Sequence, residues 1–348
     1  MHIPDGFLSP QTVGTLGLSM VPVWIASALK TSRSLKIRQV PLLSLGAAFA
    51  FVIMMFNIPL PNGTTLHPVG GALIAIILGP WAAAIGITIA LVLQALFFGD
   101  GGLTAIGANS FNMAFAMPFV SYYLYKLISG RSALTSPRRW IGGALAGFVG
   151  LNIAALLTAV ELGIQPLLFH TADGKALFFP YSLAQTVPAV SFAHLLVGGP
   201  VEAIVTAMVI MYFQRANQPM LSLYPPGKGL AGGPIDRAQI RLKKIWAGVI
   251  ALVILSPLGL LASGTAWGEW SPGELKKLIG YIPKGISEAT GSRFNVLPGY
   301  SISGWDKTLF HSAAGYIVSA VAGLGLIFIT VYLFNKFQAK GEKTSGIR

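Results

Sequence analysis

PWAAAIGITIALVLQALFF, residues 80–98, carries no charged side chain, and its only polar side chains outside the indole are those of Thr88 and Gln94. At about 1.5 Å of rise per residue, a helix of this length crosses the roughly 30 Å hydrocarbon layer of a bilayer. Of the 348 residues, 54% are hydrophobic and only 10% are charged, and the mean hydropathy is +0.69. Soluble domains carry about 25% charged residues, so the pattern predicts an all-α, multi-pass membrane protein.

Further stretches of the same kind predict a bundle of about eight transmembrane helices. The predicted spans are 12–30, 41–57, 80–98, 109–126, 140–160, 186–213, 245–263 and 311–335. A shorter apolar run, 69–79, ends at Gly79-Pro80 and is too short to cross the hydrocarbon layer. We expect a short or broken helix there, which membrane proteins tolerate only where it is buried in protein or lines a cavity.

The basic residues are divided unequally between the two sides of this bundle. If the N-terminus is outside, 18 of the 24 Lys and Arg residues fall in cytoplasmic segments. The other six are Lys175, Lys276, Lys277, Lys284, Arg293 and Lys307. Because short cytoplasmic loops retain Lys and Arg, we predict an outside N-terminus and a cytoplasmic C-terminus in the cell (inner) membrane. The net charge of +13 is then an orientation signal and gives no reason to expect nucleic acid as a partner.

Composition also predicts a division into domains. Residues 1–214 form a first membrane domain with short loops rich in Gly, Pro and Asn on its outer side. The polar stretch 215–244, rich in Pro and Gly, is typical of a cytoplasmic linker. Residues 245–348 then form a two-helix unit with an extracytoplasmic loop at 264–310.

The first residues carry the most specific chemical signal. MHIPDGFLSP lacks the basic start and the cleavage site of a signal peptide, so we expect Met1 to remain the terminus. Met1 then offers its α-amine, and His2 offers its backbone nitrogen and its imidazole, three nitrogens that adjoining chelate rings would hold nearly in one plane. Among divalent ions, Cu(II) and Ni(II) favour square-planar nitrogen ligands. With no Cys in the chain, thiolate ligands are excluded.

A fourth nitrogen can come from His67, in the loop NIPLPNGTTLHP at 57–68, on the same predicted outer face. Pro68 restrains the backbone and favours an extended conformation at His67. Asp5 and Gly6 predict a turn that folds the terminus back onto the first helix. Either histidine alone is more often a solvated surface residue, so the prediction of a metal site depends on their coming together.

Three segments resemble one known family. MHIPDGFLSP (1–10), LPNGTTLHPVGGALIAIILGPWAA (60–83) and FFGDGGLTAIGANSFNMA (97–114) are similar to the substrate-binding S component, of the CbiM/NikM type, of nickel and cobalt energy-coupling-factor transporters. The resemblance covers about residues 1–214. Residues 245–348 are similar to the two-span N component of such transporters, with its PDGLE-like signature approximated by the SPGEL sequence at 271–275.

The resemblance implies that the amine of Met1, the backbone nitrogen and imidazole of His2, and His67 bind Ni(II) or Co(II) as the transported substrate, with no prosthetic group. It implies a membrane-embedded T component and a cytoplasmic ATPase dimer as partners. The sequence has no GxxxxGK[ST] phosphate loop of its own. We therefore predict a non-catalytic subunit of an ATP-driven importer, with nickel and cobalt both open as substrates.

Polar residues near the predicted outer loops are candidates for supporting the metal ligands. Gln94, Asn109, Ser110 or Asn112 could donate hydrogen bonds to His67, and Asp5 is a further candidate for supporting the site. The alternative is structural, with a tight turn at 99–102 and a helix N-cap at Asn109 or Ser110.

Glu202 lies inside the predicted span 186–213, with His194 about two turns earlier on the same face. Ionisable groups inside a membrane suggest function by default, and the rival hypothesis is a stand-alone, proton-coupled secondary carrier that uses Glu202. The favoured interpretation is structural, with Glu202 bonded to a neighbouring helix. His170 and Asp173 are expected to be solvated, and His311 to lie at the membrane interface.

Overall fold

The computed structural model describes residues 1–34, 40–61, 64–216, 218–222, 242–262, 264–289 and 295–344. Most of the predicted linker 215–244 lies outside these described residues. So do seven of the basic residues used to predict the orientation, Lys36, Arg38, Lys228, Arg237, Arg241, Arg293 and Arg348.

The first part of the described chain is built almost entirely of helices. They are α1 Pro10–Ser34, α2 Val40–Met54, α3 Gly71–Leu78, α4 Pro80–Leu93, α5 Ile106–Asn109, α6 Met117–Ser129, α7 Pro137–Gly163, α8 Gln165–Leu168, α9 Leu183–Ala193 and α10 Gly199–Ala216. π-Helical turns extend α4, join α5 to α6 and join α9 to α10, at Gln94–Phe98, Ser110–Ala116 and His194–Gly198. Two short antiparallel strands, β1 Ile58–Pro59 and β2 Thr65–Leu66, precede α3.

The second part contains two long helices with an irregular segment between them. The elements are α11 Leu242–Leu255, α12 Pro272–Ile279, α13 Lys284–Glu288 and α14 Leu309–Thr344. Single 3₁₀ turns occur at Gln218–Ser222, Ser256–Leu261 and Pro298–Tyr300.

Six helices of the described residues are long and apolar enough to cross a membrane. They are Pro10–Thr31, Pro80–Phe98, Pro137–Leu168, Leu183–Ala216, Lys243–Leu261 and Leu309–Lys336. The helix Pro41–Met54 is apolar but shorter. The expectation of a helical multi-pass membrane protein is confirmed, while the count of eight spans and the orientation of the termini stay predictions.

Helix α3 is the short element expected at 69–79, and every one of its residues is buried. Gly70 before it and Gly79 after it have positive φ angles of 76° and 86°, a conformation that glycine adopts without a Cβ clash. Pro80 then begins α4, where its missing N–H is not needed. Sequence-encoded breaks at both ends therefore create a half-helix in the centre of the bundle.

Close helix packing surrounds α3. Helix α7 approaches α6 and α10 at glycines: a Cβ at Gly150 would lie 2.0 Å from Ser121 Oγ, and one at Gly147 would lie 3.1 Å from Glu202 O. Small residues of this kind allow neighbouring membrane helices to approach closely. The basic residues at helix ends, such as Lys30, Lys126 and Lys244, lie at one end of the bundle, which we call the basic end. Residues 1–9 lie at the opposite end, which we call the N-terminal end.

The second part of the chain packs on the first along its whole length. Helices α11 and α14 lie against α2, and residues 264–289 and 295–300 cover the N-terminal end of the bundle. Thr65 N in β2 donates a hydrogen bond to Thr265 O at 3.1 Å. Ile3 and Phe7 belong to the same apolar cluster as Leu275 and Ile286. The first residues of the chain are therefore enclosed by both parts.

Candidate metal centre

The first three residues are buried at the N-terminal end. Met1, His2 and Ile3 are 6%, 4% and 0% exposed. Ile3 N donates a hydrogen bond to Asn109 Oδ1 at 2.8 Å, and Asn109 Nδ2 donates to Ile3 O at 3.1 Å. Gly102 N donates a further hydrogen bond to Ile3 O at 2.9 Å. These bonds anchor the chain immediately after His2.

Asp5 ties the same segment to the loop after α4. Its carboxylate accepts hydrogen bonds from Leu103 N at 3.2 Å and from Thr104 N at 2.8 Å. Gly6, with φ at 81°, then turns the chain towards α1. Asp5 thus joins the terminal segment to this loop, and Asn109 bonds the backbone of Ile3, whereas the sequence suggested a hydrogen bond from Asn109 to His67.

Loop 99–102 covers His2 with main chain. Gly101 has a φ of 84°, and a Cβ there would lie 3.3 Å from both Cβ and Cδ2 of His2. A Cβ at Gly102 would lie 2.5 Å from the backbone nitrogen of Asp5. The glycines therefore permit a contact between loop and terminus that side chains would prevent.

His2 and His67 meet in this enclosed space. Their ring centroids are 4.9 Å apart and the ring planes are inclined by 28°. His67 Nδ1 lies 3.1 Å from Pro68 O, and the Nε2 atoms of both rings are buried without a hydrogen-bond partner in the described part of the chain. Buried polar atoms are normally satisfied, so two free imidazole nitrogens side by side indicate a place for a ligand.

A chain of hydrogen bonds leads away from His2. His2 Nδ1 lies 3.1 Å from Asp100 Oδ1. Tyr300 donates its hydroxyl hydrogen to Asp100 Oδ2 at 2.5 Å and accepts a hydrogen bond from Gln94 Nε2 at 2.9 Å. Gln94 is therefore linked to His2 through Tyr300 and Asp100. In this geometry, closing a chelate ring through Nδ1 requires the imidazole to exchange Asp100 for the ion.

Electrostatics favour a neutral His67 beside an ionised Asp100. Burial lowers the pKa of His67 well below its usual value, and the nearby terminal amine and His2 lower it further. Burial alone would raise the pKa of Asp100, but the charge and hydrogen bond of His2 hold it below the usual range. A neutral imidazole is the form that binds metal ions, so His67 is in the state that a ligand requires.

The second part of the chain brings a carboxylate to the terminal amine. Glu269 Oε1 lies 3.7 Å from the nitrogen of Met1. Burial raises the pKa of Glu269, against the lowering effect of the amine and of His2. A small cavity of about 30 Å³ lies beside them and is lined by Met1, His2, His194 and Glu269 among others. This volume suffices for a single water or ion.

Two imidazoles and two carboxylates of the described residues lie near the terminus, without forming a side-chain cluster typical of a metal site. Within the described ranges, no group of three or more His, Asp and Glu side chains is arranged to hold a metal ion. The amine of Met1 and the backbone nitrogen of His2 adjoin the His2 ring in the sequence, so main-chain nitrogen is available beside the two imidazoles.

Ser110 and Asn112, the remaining predicted supporting residues, have no hydrogen bond to either imidazole among the described residues. Ser110 Oγ is buried and has no hydrogen-bond partner among the described residues. Asn112 Nδ2 donates to Thr158 Oγ1 at 3.1 Å and to Glu161 Oε2 at 2.8 Å. Asn112 therefore joins α6 to α7 through the π-helical turn before α6.

Glu202 holds the loop that carries His67. Its side chain is fully buried, and Oε2 accepts hydrogen bonds from Val69 N at 2.9 Å and Gly70 N at 3.1 Å. It thus bonds buried N–H groups at the start of α3 that have no partner within the helix. His194 Nδ1 instead lies 2.8 Å from Val190 O in its own helix. These contacts favour the structural interpretation of Glu202.

Three other polar residues singled out from the sequence lie far from this chemistry. His170 and Asp173 are exposed, and Asp173 Oδ2 is 3.2 Å from Lys175 Nζ. His311 is exposed and lies 2.6 Å from Thr308 Oγ1. Their exposure agrees with the expectation for solvated or interfacial side chains.

Sequence reasoning missed the carboxylates of Asp100 and Glu269 and the phenol of Tyr300. Asp100 lies between glycines in the segment GDGG (99–102), a motif interpreted only for its backbone. Glu269 lies in WGEW (267–270), whose tryptophans pack with Phe179 and Tyr181. Two tryptophans around a single acidic residue were the sequence feature that could have indicated a buried carboxylate.

Each of the two parts of the chain matches a known protein family. A family model described as the cobalt uptake substrate-specific transmembrane region matches residues 2–220. A PDGLE domain matches residues 242–339, in agreement with the approximate signature at 271–275.

Relatives with the same two parts exist. The fused nickel transport protein NikMN of Rhodobacter capsulatus is 43% identical over 97% of this chain and 98% of its own. The probable fused nickel transport protein LarMN of Lactiplantibacillus plantarum is 43% identical over 94% of this chain and 95% of its own. A crystal structure of a transition metal transporter is 53% identical, with a TM-score of 0.59, over 63% of this chain and 94% of its own.

Proposed function

The chain belongs to the CbiM/NikM family of nickel and cobalt transport proteins in its fused form with a PDGLE unit, and on that premise we propose that it captures Ni(II) with Met1, His2 and His67. The observation that carries the proposal is the meeting of two imidazoles with free nitrogens beside a buried chain terminus. The nickel named for both full-length relatives supports Ni(II) ahead of Co(II).

The proposed site has four nitrogens: the amine of Met1, the backbone and imidazole nitrogens of His2, and Nε2 of His67. Loading breaks the contact between His2 and Asp100 and that between Met1 and Glu269. The amine of Met1 and the amide of His2 must each lose a proton to bind the ion. The carboxylates of Asp100 and Glu269 lie close enough to accept these protons. The ion is the transported substrate, and the chain needs no prosthetic group.

Import is proposed to need further subunits. The outward-facing site takes up the ion, and the subunit then reorients against a membrane-embedded T component, driven by a cytoplasmic ATPase dimer. Residues 1–214 form the binding unit, 215–244 the linker and 245–348 the auxiliary unit, whose loop encloses the terminus. The N-terminus lies outside, and the chain itself catalyses no reaction.

Binding titrations with the purified chain test the ligand set. His2→Ala and His67→Ala should each lower nickel affinity by at least a hundredfold, because each removes one or more ligands. His170→Ala, an exposed histidine, is the matched control and should bind like the parent. Unchanged binding in either ligand variant, with the fold intact, would refute the assignment.

The rival carrier function makes a separate prediction. A proton-coupled carrier would transport nickel in vesicles without any ATPase and would stop transporting in Glu202→Gln. Our proposal expects binding but no accumulation by the chain alone. It also expects Glu202→Gln to retain binding, because a Gln carbonyl oxygen still accepts hydrogen bonds from Val69 and Gly70.

A further inference from the structure

A large apolar cleft lies between the two parts of the chain, away from the metal centre. It has a volume of about 440 Å³ and is bounded by α2, α3, α10 and α11. This falls within the range of roughly 300–1,000 Å³ for ligand pockets. Gly46, Ile74 and Met208 line it from the first part, and Gly248 and Leu252 from the second.

The chemistry of the lining excludes water as the natural filling. Among the lining residues that the structure describes, Lys244 is the single charged one, and nearly all the others are hydrophobic. Water needs several polar partners to remain in a cavity, and an empty space of this size loses the dispersion contacts that protein interiors normally make. The cleft therefore requires an apolar occupant.

The depth of the cleft matches one leaflet of a bilayer. On α11 the lining runs from Lys244 to Leu252, and on α10 it runs from Val205 to Phe213. At 1.5 Å per residue, each of these stretches is about 12 Å long. Half of a 30 Å hydrocarbon layer is about 15 Å. The cleft thus begins at the basic end and closes near the middle of the membrane.

We propose that this cleft binds one anionic phospholipid from the leaflet at the basic end. An acyl chain fills the space between α3 and α11, and the phosphate meets Lys244 at the rim. Lys244 and its neighbour Lys243 are both exposed there. A lysine near the membrane surface favours an anionic headgroup by about 1 kcal/mol, which is a roughly fivefold preference. The lipid joins the two parts of the chain where α11 packs loosely.

Glycine positions provide a matched pair of variants. A Cβ at Gly248 would meet no atom within 4 Å, and the same holds at Gly325 of α14, which lies outside the cleft lining. Gly248→Phe should place a ring in the cleft from a position where the Cβ itself meets no atom of the described residues, and Gly325→Phe is the control on a comparably open helix face. Lys244→Gln removes the charge at the rim, and Lys126→Gln removes a charge elsewhere at the basic end.

Native mass spectrometry of the full chain, after exchange into equal mixtures of phosphatidylglycerol and phosphatidylcholine, measures the bound lipid. The parent, Gly325→Phe and Lys126→Gln should each retain one lipid, with about a fivefold preference for phosphatidylglycerol. Gly248→Phe should retain none, and Lys244→Gln should keep a lipid with a weaker preference for phosphatidylglycerol than the parent has.

Three outcomes would overturn the proposal. The first is a parent chain that retains no lipid, and the second is a Gly248→Phe variant that retains as much as the control. The third is a complex, purified with its partner subunits, in which the lipid is absent because a helix of another protein occupies the cleft.

Discussion

Replacing Asn109 by Ala should weaken nickel binding although it removes no proposed ligand. The substitution deletes both side-chain hydrogen bonds to Ile3, at 2.8 and 3.1 Å. Ile3 O keeps the bond from Gly102 N, but Ile3 N is left buried without its partner. An unsatisfied buried donor costs about 1–3 kcal/mol, and the second lost bond adds about 1 kcal/mol.

The lost hydrogen bonds make the terminal segment of the metal-free chain less ordered. A binding-competent state that is only partly populated weakens the apparent affinity in proportion. With Asp5 and Gly102 still holding the segment, we expect about 2 kcal/mol of the loss to reach binding, or a roughly 30-fold higher Kd. Calorimetric titration of the purified chain with Ni(II) measures it directly.

Asn152→Ala is the matched control. Asn152 Nδ2 donates to Phe148 O in its own helix at 2.8 Å and does not contact the terminal segment. This variant should change Kd by less than about threefold. An Asn109→Ala protein that folds and binds like the parent, or a control that loses as much, would refute the anchoring role.

Other perturbations separate the remaining contacts. Glu202→Ala should raise Kd about tenfold while Glu202→Gln restores it, since only Ala leaves the N–H groups before α3 unbonded; equal losses in both would contradict this, and titration measures each. Gly101→Ala should weaken binding at least tenfold in the same assay, because a Cβ would press on His2 at a φ of 84°; binding at parental strength would show that the loop yields. Asp100→Ala should change nickel affinity more than Tyr300→Phe does in the same titration, because Asp100 contacts His2 directly and Tyr300 contacts it only through Asp100; a larger change in Tyr300→Phe would contradict this order. Burial lowers the pKa of His67 below its unfolded value near 6.5, so metal-free protein should lose stability as pH falls from 7 to 5; thermal unfolding should show a shallower loss for His67→Gln, and identical slopes would contradict the shift.

Much of the fold could be predicted from the pattern of apolar, Gly and Pro residues along the sequence. The apolar runs located the long helices, and the Gly and Pro residues around 69–79 located α3, because helix breaks depend on local conformation. The pairing of His2 with His67 followed from topology, since an even number of crossings returns the chain to the same face. Each of these inferences needs only sequence spacing and the thickness of a membrane.

The residues that surround the two imidazoles could not be predicted from sequence spacing. Asp100 meets Tyr300 across 200 positions, and Met1 meets Glu269 across an even longer separation. No periodicity encodes contacts between two units that fold against each other. Sequence spacing also did not indicate that the hydrogen bonds of Asn109 go to the backbone of Ile3.

The most direct test of the central claim is nickel K-edge X-ray absorption on the loaded chain, before and after acetylation of the terminal amine. The account predicts a planar site of four nitrogen ligands that is lost when the amine of Met1 is blocked. A six-coordinate, oxygen-rich site that survives acetylation unchanged would contradict it.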